Sequence, residues 1–121
     1  MSIAGFLFDE HIPPGLGQRL VLVEPRIAAY RVGQLDELPK GTPDTVLLTW
    51  IEAHDCLLVT NNRSSMPVHL PLHLAAGSHI PGILQTPRVL HIGRVLNDLL
   101  LIWGAGAPDE FRDRITYLPL R

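Results

Sequence analysis

Two neighbouring acids, Asp9 and Glu10, a third at Asp44, and the run Asn61-Asn62-Arg63 are the places in this 121-residue chain where residue types and spacing could do chemistry. Carboxylates that share one rim repel and raise one another's pKa unless a cation lies between them. A hard, oxygen-seeking ion such as Mg²⁺ or Mn²⁺ is the natural resident of such a place. It activates water and stabilises the charge that develops on a phosphodiester. Arg63 suits a phosphate beside a helix N-terminus, and Asn61 and His11 are further candidate substrate contacts.

These residues meet only if the elements between them carry them to one rim. Ile3-Ala4-Gly5-Phe6-Leu7-Phe8 is apolar for a strand's length and stops abruptly at Asp9. Such a run predicts a strand buried on both faces, the central strand of a parallel sheet. Pro13 and Pro14 lead into a helix carrying Leu16, Leu20 and Val23, which Pro25 ends. A short strand follows near 28–32, then a polar surface loop from Gly33 to Pro43. Thr42 as N-cap, Pro43 at the first helical position and Asp44 in the first turn open a second helix. Val46, Leu47, Trp50, Ile51 and His54 mark its face at a period of 3.6.

Cys56-Leu57-Leu58-Val59-Thr60 is a second fully apolar strand, and Asn61-Asn62-Arg63 leave it. Ser64 or Ser65 caps a third helix with Leu70, His73 and Leu74, distorted at Pro71 and stopped at Gly77. Pro81-Gly82 leads into a strand at 83–85. Ile92, Leu96, Leu99, Leu100 and Trp103 stripe a last helix closed by Gly104, and 115–118 form a final strand. Alternating strands and helices of this order predict an α/β fold with a mostly parallel sheet covered on both faces. Ligands of such sheets lie beyond the carboxyl ends of the strands, where Asp9, Glu10, Asp44 and Asn61 to Arg63 all fall.

Phe6-Leu7-Phe8-Asp9-Glu10-His11-Ile12-Pro13-Pro14, then Pro43-Asp44, then Leu57-Leu58-Val59-Thr60-Asn61-Asn62-Arg63, then Ile80-Pro81-Gly82-Ile83 together resemble a bacterial family of PIN-like domains. That family is VapC-like and often associated with toxin–antitoxin loci. The resemblance covers almost the whole chain, and the Asp-Glu start and the Val-Thr loop are its most specific parts. It implies a three-layer α/β/α PIN-like fold and metal-dependent RNA cleavage, with Asp9, Glu10 and Asp44 at acidic positions of the pattern. Asp9 and Asp44 would be the metal ligands for Mg²⁺ or Mn²⁺, with Asn62 assisting as the fourth catalytic position. The family usually carries aspartate where this chain has Asn62 and often another at Ser64. An amide brings an oxygen but no charge, and it cannot act as a general base. The resemblance further implies the toxin half of a toxin–antitoxin pair, with a cognate antitoxin protein as partner; the alternative is a catalytically degenerate PIN-like domain that acts as a protein-binding module.

Each candidate also has a plainer reading. Asp9, Glu10 and Asp44 suit the start of a helix for dipole reasons alone, and Asn61 and Asn62 suit a tight turn. His69 and His73 stand four apart, a spacing that can hold a transition metal on one helix face, although Pro71 lies between them. Cys56 at the head of a buried strand reads as packing. Gly104-Ala105-Gly106 follows a helix and not a strand, so it is no phosphate loop.

Composition narrows the class. Ten Lys and Arg against twelve Asp and Glu give a net charge of −2, which excludes binding nucleic acid through an overall basic field and leaves a local site. A single Cys excludes an intrachain disulfide and fits a reducing compartment. The longest clean apolar run, Leu99 to Ala107, falls far short of the roughly 20 residues that span a bilayer. With no signal peptide at its start, the chain is expected to be a cytoplasmic single domain with no membrane contact. An apolar edge or helix face would support a homodimer.

Overall fold

An apolar run without alternation has to be covered on both faces, and the chain satisfies that demand by placing its strands between two helical layers. The computed structural model describes residues 3–62, 65–106 and 109–120. Its elements are β1 (Gly5–Phe8), α1 (Pro14–Val23), β2 (Ala28–Arg31), α2 (Asp44–His54), β3 (Cys56–Thr60), α3 (Met66–Ala75), β4 (Ile83–Gln85), α4 (Ile92–Ala105) and β5 (Ile115–Tyr117). The sheet order is β2-β1-β3-β4-β5 and every pairing is parallel. The fold is therefore α/β, with three layers. β3 is the middle strand; β1 is interior but one place off centre, because both β4 and β5 add beyond β3.

Side-chain alternation along the strands divides the interior in two. Phe6 and Phe8 face the same way as their register partners Leu57 and Val59, and Leu16 and Leu20 of α1 and Val95, Leu99 and Ile102 of α4 cover them. Leu7, Cys56, Leu58 and Ile83 face the other way, under Leu47, Leu48, Trp50 and Ile51 of α2 and Met66 and Leu70 of α3. Truncating the buried Leu, Ile, Met or Phe side chains among these to Ala costs about 2–5 kcal/mol each, so both layers are held by packing.

Several helix details differ from the sequence reading. On α1 Val23 is exposed, and on α2 Leu48 takes the buried place expected for Val46, which is exposed with His54. The α2 face is rotated because it packs on both the sheet and α3. Pro43, not Thr42, is the N-cap of α2; the Thr42 hydroxyl instead donates to the Pro39 carbonyl. α3 runs unbroken through Pro71, and α4 passes Gly104 to end at Ala105 with Gly106 as its cap. The last strand stops at Tyr117, one residue short of the expected end. The polar loop after β2 is pinned to the core by Leu38, which is fully buried and whose carbonyl accepts the Gly33 N–H at 2.7 Å. Among the described residues, no helix is long and apolar enough to cross a membrane.

Candidate active site

In a doubly wound sheet the chain turns to opposite sides at one point, and the loops there part to leave a crevice. Here that point lies between β1 and β3, since β2 adds on one side of β1 and the later strands follow on the other. Asp9 is the first residue beyond β1, and its N–H donates to the Val59 carbonyl at 2.9 Å. The ladder with β3 thus extends one residue past the strand and fixes where the side chain starts.

Each oxygen of the Asp9 carboxylate has a partner. Oδ1 accepts the Glu10 N–H at 2.7 Å, and Oδ2 accepts the Thr60 hydroxyl at 2.9 Å. The same hydroxyl accepts the Asn62 N–H at 3.0 Å. Because Thr60 must donate to the carboxylate, its lone pairs face the Asn62 amide, and the three residues form one oriented chain across the switch point. Asn62 in turn grips the entry to α3: its Nδ2 donates to the Ser65 hydroxyl and its Oδ1 accepts the Ser65 N–H at 3.3 Å. Ser65 is the N-cap of α3 but makes no side-chain capping bond, so Asn62 secures this turn from outside the helix.

Beside Asp9 the other predicted residues find separate partners. Glu10 Oε1 accepts the Gly41 N–H at 3.0 Å, which ties the β1 exit to the loop before α2. Asp44 begins α2, and its Oδ2 lies 3.9 Å from His69 Nε2 on α3. His73 Nε2 meets Glu52 Oε1 at 3.2 Å, so His69 and His73 serve different carboxylates and do not act as a pair. His11 is exposed in the turn after β1, Asn61 is half-buried, and Arg63 and Ser64 lie outside the described residues. Among the described residues, no group of three or more His, Cys, Asp or Glu side chains is placed to hold a metal ion.

Three residues that sequence reasoning did not single out belong to this edge. Thr60 and Gln85 end β3 and β4, Thr86 follows β4, and all three are buried, as Asp9 is. Thr86 donates its N–H to the Thr60 carbonyl at 2.8 Å, and Gln85 Nε2 lies 3.5 Å from the Thr86 carbonyl. The remaining buried polar residue among those described is Asp98 on α4, whose Oδ2 accepts the Leu120 N–H at 3.0 Å and fastens the chain's last segment. Burying a polar side chain costs free energy unless it is satisfied, and the four at this rim meet that cost with hydrogen bonds. A polar residue ending an otherwise apolar strand was the available signal.

The donor set also limits how a cation would be held. A carboxylate with one hydrogen bond on each oxygen keeps lone pairs free. Mg²⁺ commonly takes one or two protein carboxylates and draws its other oxygens from water and a substrate phosphate. The edge fits that mode and not an all-protein cage. No protein-family model, curated protein or solved structure matches the chain.

Proposed function

We propose that this chain is a PIN-like, nuclease-related protein that meets RNA at the carboxyl edge of β1 and β3 and cleaves it with Mg²⁺ or Mn²⁺. The observation that supports this reading is the Asp9–Thr60–Asn62 chain at the switch point, within a rim of buried polar side chains. Asp9 would hold the cation, with Asp44 as the second carboxylate and Asn62 as a neutral oxygen donor. When bound, such an ion supplies Lewis acidity toward a phosphodiester. The residues of the chain do the positioning: Thr60 fixes the Asp9 rotamer and Glu10 binds the neighbouring loop, while Arg63, outside the described residues, would meet a phosphate. A bacterial toxin of this kind would be silenced in the cytoplasm by a cognate antitoxin protein, and a homodimer would present two such edges.

Incubation of end-labelled RNA with the purified chain, with chelator and then with added Mn²⁺, tests the reading. Cleavage should require the metal and vanish in Asp9→Asn. Cleavage that persists in Asp9→Asn overturns the assignment.

Asn62 favours a second reading. Its amide bonds Ser65 and brings no charge to the rim, which suits a catalytically degenerate domain kept for binding a protein partner. Calorimetric titration with Mn²⁺ in the presence of a short RNA separates the two. Uptake that depends on Asp9 supports the enzyme; no uptake up to millimolar metal supports the binding module.

A further inference from the structure

A well-formed concavity lies on the α1 face of the sheet, toward the β2 edge, and the metal-centred reading makes no use of it. Small residues contribute to its lining. Gly17 on α1 and Ala29 on β2 leave open the space that larger side chains would fill, and the ring of Phe8 forms one wall. A Cβ on Gly17 would stand 3.3 Å from that ring. The cavity measures about 430 Å³, within the range of small-ligand sites, and Val21 and Leu22 line it while still exposed to solvent. Leu22, 81% exposed, is the most exposed large apolar side chain among the described residues, an arrangement with no value for the fold alone.

One charged side chain lines this groove, and it is a cation. Arg31 ends β2, and its guanidinium donates to the Ile12 carbonyl and, at 2.9 Å, to the Glu10 carbonyl. Those bonds fix the plane of the guanidinium but use only part of its five donors. Among the described residues Arg31 has no carboxylate partner, and no acidic side chain lines the cavity. A half-buried, immobilised cation beside an apolar wall is complementary to one chemistry: an apolar body carrying a single anionic group.

We infer that the groove between α1 and β2 binds a small amphipathic organic anion, its apolar part against Phe8, Val21 and Leu22 and its carboxylate or like group on Arg31. The site is independent of the nuclease reading and requires no metal.

The test uses 1-naphthoate, titrated calorimetrically into the full chain, with 1-naphthalenemethanol as the neutral control. Saturable one-to-one uptake of naphthoate, about tenfold tighter than that of the alcohol, is expected for one added charge-assisted contact. Gly17→Leu improves helix propensity while filling the space; because its Cβ would stand 3.3 Å from the Phe8 ring, which must give way, urea unfolding is measured beside it, and uptake of both compounds should be abolished in a variant that remains folded. Arg31→Gln should remove the preference for the anion and spare the alcohol. Because it also removes two bonds to the loop after β1, Val21→Glu provides a second variant. An acid there should weaken naphthoate about tenfold and leave the alcohol nearly unchanged. Equal affinity for the two compounds, or naphthoate uptake that survives Gly17→Leu, overturns the inference. So does a concentration-dependent dimer that Gly17→Leu dissociates while naphthoate fails to bind, since the groove would then be occupied by a second copy.

Discussion

The two rims of this one sheet are built from the same strands and made of opposite material. At the amino rim the chain is pressed together: β1 starts at Gly5, Cys56 is fully buried at the head of β3, and Gly82 lies against Phe111 before β4. At the carboxyl rim the same strands end in Asp9, Thr60, Gln85 and Thr86, buried and joined by side-chain hydrogen bonds. The amino rim is closed by contacts that leave no room; the carboxyl rim is held by bonds that leave atoms with unused capacity. Parallel strands teach this directly, since every one of them delivers its exit to the same side.

The sharpest test of the closed rim is Gly5→Val. A Cβ at residue 5 would lie 1.8 Å from the Ala28 carbonyl oxygen, so β1 and β2 must part. A loss of about 3 kcal/mol or more is expected in urea unfolding, the upper end for an overpacked site. The Cys56 thiol reports the same event. Its pKa is pushed up to about 12, first by burial and then by the charge of Asp55, against a hydrogen bond from Gly5. In the parent chain it should resist an aromatic disulfide reagent at pH 8 until the chain unfolds; in Gly5→Val it should react quickly. A reactive thiol in the folded parent would show that the amino rim is open after all.

At the carboxyl rim the corresponding change is smaller and more telling. Thr60→Val keeps the shape of the side chain and removes its hydroxyl, leaving Asp9 Oδ2 without its donor and the Asn62 N–H without its acceptor. A cost of about 2 kcal/mol follows for stranding groups at a buried position. RNA cleavage, or Mn²⁺ uptake with RNA, should fall with it, and Thr60→Ser should restore both. If Thr60→Val loses stability alone, the rim is structural and the contrast with the amino side fails.

How much of this could be read in advance follows from the length over which each signal acts. The nine elements come in the expected order because apolar runs and helical periodicity are local and strong, as in Phe6 to Phe8 and Leu57 to Val59. The position of Asp9 was legible for the same reason, as the first polar residue after an apolar strand. What the sequence withheld was pairwise. Nothing local says that Leu48 and not Val46 turns inward, that Leu38 anchors a polar loop, or that the Asn62 side chain bonds Ser65. Glu10 shows the limit best: its place beside Asp9 suggested a shared cation, yet its carboxylate accepts the N–H of Gly41, thirty-one residues on.

The smallest effect belongs to a partly exposed polar cluster on the amino side itself, and it gives the comparison a baseline. Asp113 joins the loop before β5 to the one before β4, with Oδ1 accepting the Ile80 N–H at 2.8 Å and Oδ2 facing His79 Nδ1 at 2.7 Å. Partial burial works to raise its pKa, but the Ile80 N–H, His79 and Arg112 outweigh that and hold it below the ordinary aspartate range. A carboxyl depressed in the folded state contributes stability above its unfolded value near 3.8, and that contribution is lost as pH falls through the folded value. Asp113→Asn preserves the positive φ of 59° and an acceptor for Ile80 while removing the charge. The variant should therefore be less stable than the parent at pH 6 by no more than about 1 kcal/mol, because the pair with His79 is open to solvent. The gap should narrow as pH falls below 3.8 and close once Asp113 is protonated in the folded chain too. Salt separates the two sites: the hydroxyl and amide partners of Asp9 carry no charge, so the loss in Thr60→Val should persist at pH 6 in high salt, where that of Asp113→Asn shrinks.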